Sequence, residues 1–239
     1  MAKRLVPAAM LILLGLFAPL APARAQWAPN GVGVATEERE QFDLRIASDG
    51  ARGAIVVWRA AATDTTVDIY AQRIDMDGNL LWGTGGVAVR IGESELQLGA
   101  IVPDGSGGAV VTWTEYAGGE ADIYAQRVGA DGSMLWGVVG VVVCAADYDQ
   151  YEPCAVPDGS GGAIVAWIDL RSGNGDGDVY AQRVGSSGDM LWTADGVAVV
   201  SSTSPQYGAA IGTDGSGGAV VAWIDRRSGL REVYSQRIG

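Results

Sequence analysis

Carboxylates are the chemistry this sequence has most of. It holds 28 Asp and Glu residues against 16 Lys and Arg, and no His. Without His there is no Ser-His-Asp triad, no imidazole base and no imidazole metal ligand. Lys3 is the only lysine, so the body of the chain has none to form a Schiff base. Cys144 and Cys154 cannot complete a zinc site alone. What remains is a pair of Asp or Glu residues, one protonated and one ionised, which can cleave a glycosidic bond. The acids are so numerous that spacing singles out no pair, and no catalytic constellation is recognisable.

A second chemistry is metal binding. Asp75-Met-Asp-Gly-Asn79 has the look of a calcium loop, with Asp75, Asp77 and Asn79 as its ligands. The matching segments, Gly129 to Ser133 and Gly185 to Asp189, do not keep the carboxylates. No Glu stands at the twelve-residue distance such a loop needs. The segments therefore read first as turns, with calcium as the one cofactor they would take. A third chemistry is recognition. Tyr116, Tyr148, Tyr151, Tyr207 and Phe42 lie in polar stretches among Glu37, Glu38, Glu40, Glu93, Glu95, Glu115, Glu120, Asp147, Asp149, Glu152, Asp176 and Asp225. Acid mixed with aromatic rings suits a protein or glycan partner.

These residues are carried by a repeat. Asp49, Asp104, Asp158 and Asp214 each open a Gly-rich turn followed by an apolar run ending in Trp58, Trp113, Trp167 or Trp223. Tyr-x-Gln-Arg follows, placing Arg73, Arg127, Arg183 and Arg237 in register. A second tryptophan recurs as Trp27, Trp82, Trp136 and Trp192. The Asp residues are 55, 54 and 56 positions apart, a period of solenoids, propellers or arrays. Each period divides into four short extended runs separated by turns, without helical periodicity, which fits a propeller blade. The second run is apolar at successive positions, as in a strand buried on both faces. Both tryptophan series read as blade packing, and the arginines as donors to turn groups.

The N-terminal Gly31-Val-Gly-Val34 matches a fourth strand, Gly86-Val-Ala-Val89, and the last unit stops after its third. The expected fold is therefore all-β, a four-bladed β-propeller of about 55-residue repeats. Residues 31–36 would close it by pairing beside 232–238, hiding two sheet edges. A ring of eight blades from two chains is the alternative. The distance from the first Trp to the Tyr varies over 12, 11, 13 and 11 residues, whereas the other spacings hold within each class. The loop between the second and third strands is thus the variable one, on the face where binding residues collect.

The unit, DGxGGxxxxW…DIYAQR…GxxLWxxxGVxV, resembles a repeat of secreted bacterial β-propeller proteins, mostly without an assigned activity, over nearly all of residues 27–239. The run Ala71-Gln-Arg-Ile-Asp-Met-Asp-Gly-Asn-Leu-Leu-Trp82 also resembles in part the tryptophan-docking motif of quinone-type propellers. It is one residue longer and loses the motif's Asp and Thr. The resemblance implies blade-to-blade Trp packing and no quinone.

Lys3 and Arg4, the apolar run Leu5 to Leu20 and Ala23-Arg24-Ala25 read as a signal peptide over residues 1–25, leaving a domain over 26–239. That implies a secreted or periplasmic protein without a membrane span. The net charge of −12 disfavours nucleic acid and anionic membranes as partners. In an oxidising compartment Cys144 and Cys154 are expected to form a disulfide, although they fall on strands three steps apart. The functional expectation is a secreted, non-enzymatic scaffold that binds a protein or glycan through its variable loop face. A carboxylate-based glycosidase comes second. A structural module of a larger envelope assembly, or a homodimer, is the third reading.

Overall fold

The computed structural model describes residues 27–62, 66–92 and 94–239. The expected signal peptide lies outside the described residues, as does Glu93. The chain is all-β, with four antiparallel sheets in sequence order. The first holds β1 (Gln41–Ser48), β2 (Ala54–Ala61), β3 (Val67–Ile74) and β4 (Val87–Arg90). The second holds β5 (Glu95–Pro103), β6 (Ala109–Ala117), β7 (Glu120–Val128) and β8 (Val141–Cys144). The third holds β9 (Gln150–Pro157), β10 (Ala163–Asp169), β11 (Asp178–Val184) and β12 (Val197–Val200). The last has three strands, β13 (Gln206–Thr213), β14 (Ala219–Asp225) and β15 (Glu232–Ile238).

The Asp-Gly-x-Gly-Gly turn is what each hairpin needs between its first and second strands. Asp104 accepts hydrogen bonds from the backbone N–H of Ser106 and Gly108, each 2.8 Å long. The final glycine is a steric requirement, because a Cβ on Gly108 would lie 2.2 Å from the Val128 carbonyl oxygen. The outer oxygen of the same Asp takes Arg127, whose Nε is 3.0 Å away. Arg73 meets Asp49, Arg183 meets Asp158 and Arg237 meets Asp214 in the same way.

The sheets pack face to face as propeller blades do. Ile55, Val57, Ile69 and Ala71 of the first sheet share one core with Ala109, Val111 and Trp113 of the second. Val110, Ile123 and Ala125 meet Ala163, Val165 and Trp167 of the third. Ala166, Ile168 and Val179 meet Val221 and Trp223 of the fourth. The strands β6 and β10 are buried on both sides for this reason.

Polar bonds lock neighbouring blades together. The indole N–H of Trp82 donates to Ala130 carbonyl (3.0 Å), and that of Trp136 to Ser186 carbonyl (3.0 Å). Arg73 and Arg127 reach the same two carbonyls. Within each of the first three blades a buried glutamine braces the turn before the fourth strand. Gln126 donates to Gly137 carbonyl (2.6 Å) and accepts from the backbone N–H of Trp136 and Arg127. Gln72 and Gln182 repeat this arrangement.

Two sequence expectations are corrected here. Residues 31–36 form no strand, and β15 has no fourth strand beside it. The N-terminal segment is instead held on the first blade, where Trp27 donates to Met76 carbonyl (2.8 Å). The reason is the docking rule itself, since a tryptophan preceding a fourth strand seats on the turn of the following blade. Cys144 and Cys154 are both free thiols. Cys144 ends the outer strand of one blade and faces Asp169 and Arg171, whereas Cys154 sits on the inner strand of the next and faces Ala166 carbonyl.

Candidate functional site

The inner strands place one position of each blade at the same height. Each carries a register shift, and just before it Phe42 pairs with Arg59, Tyr151 with Ile168, and Tyr207 with Ile224. Gln97, opposite Thr114, holds this height in the second blade. The bulges turn the chain sharply there, with positive φ at Asp43, Glu152 and Gly208.

Around Phe42 a cleft of about 750 Å³ opens between the first and second blades. Glu38, Arg39, Glu40, Phe42, Arg59 and Glu95 line it. Arg59 lies over the Phe42 ring, 4.8 Å from its centre, and pairs with Asp43 at 2.5 Å. Glu40 is anchored by the backbone, its carbonyl accepting from Ala61 N–H. Glu95 begins β5 directly opposite Tyr116. On the other wall Arg39 donates to the Tyr70 hydroxyl (3.2 Å) and pairs with Asp68 at 3.5 Å.

Glu95 connects the cleft to Tyr116, one of the tyrosines singled out in the sequence. Burial raises the Tyr116 hydroxyl above its ordinary pKa, and the charges of Glu95, Asp149 and Glu152 add to this. Tyr151 is raised by burial first, then by Glu152, Tyr207, Asp149 and Tyr116. Tyr116 and Tyr151 thus share acidic surroundings, and their phenols stay protonated as donors well above neutral pH. Tyr148 stands apart, exposed, with its N–H on Glu120 and its ring against Gly173. Asp176 is half-buried in the loop before β11, its N–H on Asn174.

Asp225 belongs to the scaffold. It is fully buried and accepts from the Trp223 indole, from Arg227 N–H and from the Arg227 guanidinium. The arginine bonds hold its pKa far below the ordinary carboxylate range. Asp169 with Trp167 and Arg171, and Glu115 with Trp113 and Arg90, repeat the motif. The first tryptophans stack on the tyrosines of the third strands, Trp58 on Tyr70, Trp113 on Tyr124, Trp167 on Tyr180 and Trp223 on Tyr234. Asp75 spends its carboxylate on its own turn, accepting from Asp77 and Asn79 N–H and from the Asn79 side chain. Among the described residues no three acidic, His or Cys side chains group to hold a metal.

Sequence reasoning missed Arg59 and Arg39 as cleft walls. A signal was present. An acid follows the first tryptophan by two residues in Trp113-x-Glu115, Trp167-x-Asp169 and Trp223-x-Asp225, but Ala60 takes that place after Trp58. The blade that breaks the rule is the one bearing the cleft.

No protein-family model matches the chain, and no curated protein does. Solved structures do. An α-L-arabinofuranosidase from Fusarium graminearum aligns at a TM-score of 0.50 and 9% identity, over 82% of this chain and 62% of its own. The fold is shared with a glycosidase. An endo-arabinase from Bacteroides thetaiotaomicron aligns at 0.45 and 15% identity, over 78% of this chain and 71% of its own. A protein of unknown function from Dyadobacter fermentans aligns at 0.49 and 13% identity, over 87% and 68%. The chain spans less than two thirds of the arabinofuranosidase's length.

This corrects the functional expectation. A non-enzymatic binding scaffold was expected because no His, lysine or catalytic motif is present. A solved α-L-arabinofuranosidase has the same fold, so the missing residues do not carry the non-enzymatic expectation, and carboxylate chemistry needs none of them. No helix among the described residues is long and apolar enough to cross a membrane.

Proposed function

We propose that the protein is a glycoside hydrolase that acts on arabinose-containing glycans through the cleft between its first two blades. The observation that carries this reading is the company the cleft keeps, with Glu38, Glu40 and Glu95 around an aromatic ring and an arginine. A sugar offers its C–H face to a ring such as Phe42 and its hydroxyls to Arg59 and the carboxylates. Glu40 and Glu95 are the catalytic candidates, because each is fixed by the ladder at a strand end. One would protonate the leaving oxygen. The other would act on the anomeric carbon directly, or through water if the two stand farther apart. Tyr116 and Tyr151 would donate hydrogen bonds to sugars running toward the third blade. The arabinofuranosidase likeness supports the fold as a frame for this chemistry, and the signal expected over residues 1–25 would deliver it to external polysaccharide.

The test is kinetic. Glu40→Gln and Glu95→Gln should each lower kcat on an arabinofuranoside by at least about 100-fold, the range of a lost general acid or base, with little change in KM. Unchanged kcat in both variants would remove these residues from the reaction.

A further inference from the structure

The outer strands β4, β8 and β12 hold equivalent places in their blades, and β8 differs in what it shows to water. The segment after Trp82 carries Thr84, Gly85 and Ala88, and the segment after Trp192 carries Ala194, Asp195 and Ala198. After Trp136 the same three positions are Val138, Val139 and Val142. Val138 is 87% exposed, Val139 50% and Val142 45%. Leu135, just before the tryptophan, is exposed as well. The inward duties of this segment fall to other residues. Trp136 seats on Ser186 carbonyl, and Val143 and Cys144 are buried in the core shared with the third blade. The second blade has a described blade on each side, so this rim is bare in the middle of the series.

β8 is also the edge of its sheet. It pairs with β7 on one side, and among the described residues no strand pairs with the other. An exposed apolar edge invites strand addition, and chains commonly blunt it with a charge or a proline. β8 has neither, and no charged side chain stands anywhere from 132 to 146. In a chain of net charge −12, such a stretch lets a second copy approach without repulsion at the contact. A two-fold axis across the strand sets apolar side chains against apolar side chains, because both partners bring the same segment.

We infer that β8 is a self-association edge, pairing antiparallel with β8 of a second copy of this chain. The two four-stranded sheets of the second blades join through it, and Val138, Val139 and Val142 of both copies are shielded along the seam. The strand has four residues, so the contact stays below the roughly 1,200 Å² of a standard interface and the dimer is a reversible one. The inference does not rest on the proposed activity, and its readouts are mass and amide exchange.

Sedimentation velocity on the full chain, as exported, should show a monomer passing to twice that mass as concentration rises through the micromolar range. Amide exchange over residues 138–146 should slow with the same concentration dependence. Val138→Asp and Val142→Asp each bring like charges together across the axis, and each should weaken association by at least about 10-fold. Far-UV circular dichroism should match wild type in both, because each side chain is exposed in the single chain. Leu191→Asp, at the place of Leu135 in the third blade, should associate as wild type does. A wild type that stays monomeric overturns the inference. So does a dimer that persists in both valine variants, one that is lost equally in Leu191→Asp, or one whose β8 amides exchange at the same rate at every concentration.

Discussion

Glu115 and Asp122 lie directly opposite each other on β6 and β7, and only Glu115 is met by an arginine. Burial acts on both carboxyls. Arg90, Ser94 and the Trp113 indole overcome it at Glu115 and hold its pKa below the ordinary value. At Asp122 burial is joined by the charges of Glu120, Glu115, Asp195 and Asp149, and the pKa rises. The two groups therefore move stability in opposite directions with pH. A depressed pKa stabilises the folded state above the unfolded value, and that contribution is lost as pH falls through the folded one. A raised pKa stabilises at low pH and is lost as pH rises through it. Asp122→Asn should raise the melting temperature at pH 7 and leave it nearly unchanged at pH 4. Glu115→Gln should cost about 3 kcal/mol at pH 7 by stranding Arg90, and less once the pH falls below the folded pKa of Glu115. Thermal unfolding of both variants across this range checks the signs. An Asp122→Asn that destabilises at pH 7 would contradict the electrostatic reading.

The bracing glutamines give an internal control. Gln126→Ala removes three hydrogen bonds of a buried side chain and should cost about 2–4 kcal/mol. Gln236→Ala, at the equivalent position of the exposed last strand, should be within about 0.5 kcal/mol of wild type. Urea unfolding measures both, and equal costs would mean that the brace contributes nothing.

A turn glycine and a strand glycine offer a second pair. A Cβ at Gly108 meets a carbonyl oxygen, so Gly108→Ala should lose more than about 1 kcal/mol. Gly212 in β13 has nothing within 4 Å of such a Cβ and an ordinary φ, so Gly212→Ala should be neutral or stabilising. Urea midpoints decide between them.

The thiols are separate, and burial disfavours the thiolate of each in the folded state. Burial pushes Cys144 up to about 12 and Cys154 up to about 11. Alkylation of the unreduced protein should be slow under native conditions and add two groups in denaturant, read by mass. A single native-state product lighter by two hydrogens would indicate the disulfide that the structure lacks.

The repeat made much of the architecture legible. Four Asp-Gly turns, paired tryptophans and the Tyr-x-Gln-Arg step each have a fixed geometric duty, so their spacing reports the sheets directly. The variable loop shares a face with the crossovers between sheets, and Glu40, Glu95, Phe42 and Tyr116 stood there as members of a crowd. What spacing could not supply was the company each residue keeps. Asp225 looked like its exposed neighbours until Arg227 and Trp223 proved to enclose it. The ends were misread for a related reason. Matching Gly31–Val34 to a fourth strand identified its pattern, but Trp27 seats that segment on the turn of the first blade and no strand forms.

The account stands most directly on whether the protein cleaves a glycosidic bond. Incubation of the full chain with arabinan and with a chromogenic α-L-arabinofuranoside should release sugar and chromophore above the buffer blank. The release should disappear in Glu95→Gln. No release from either substrate, by a protein whose melting transition shows it folded, would contradict the proposed activity.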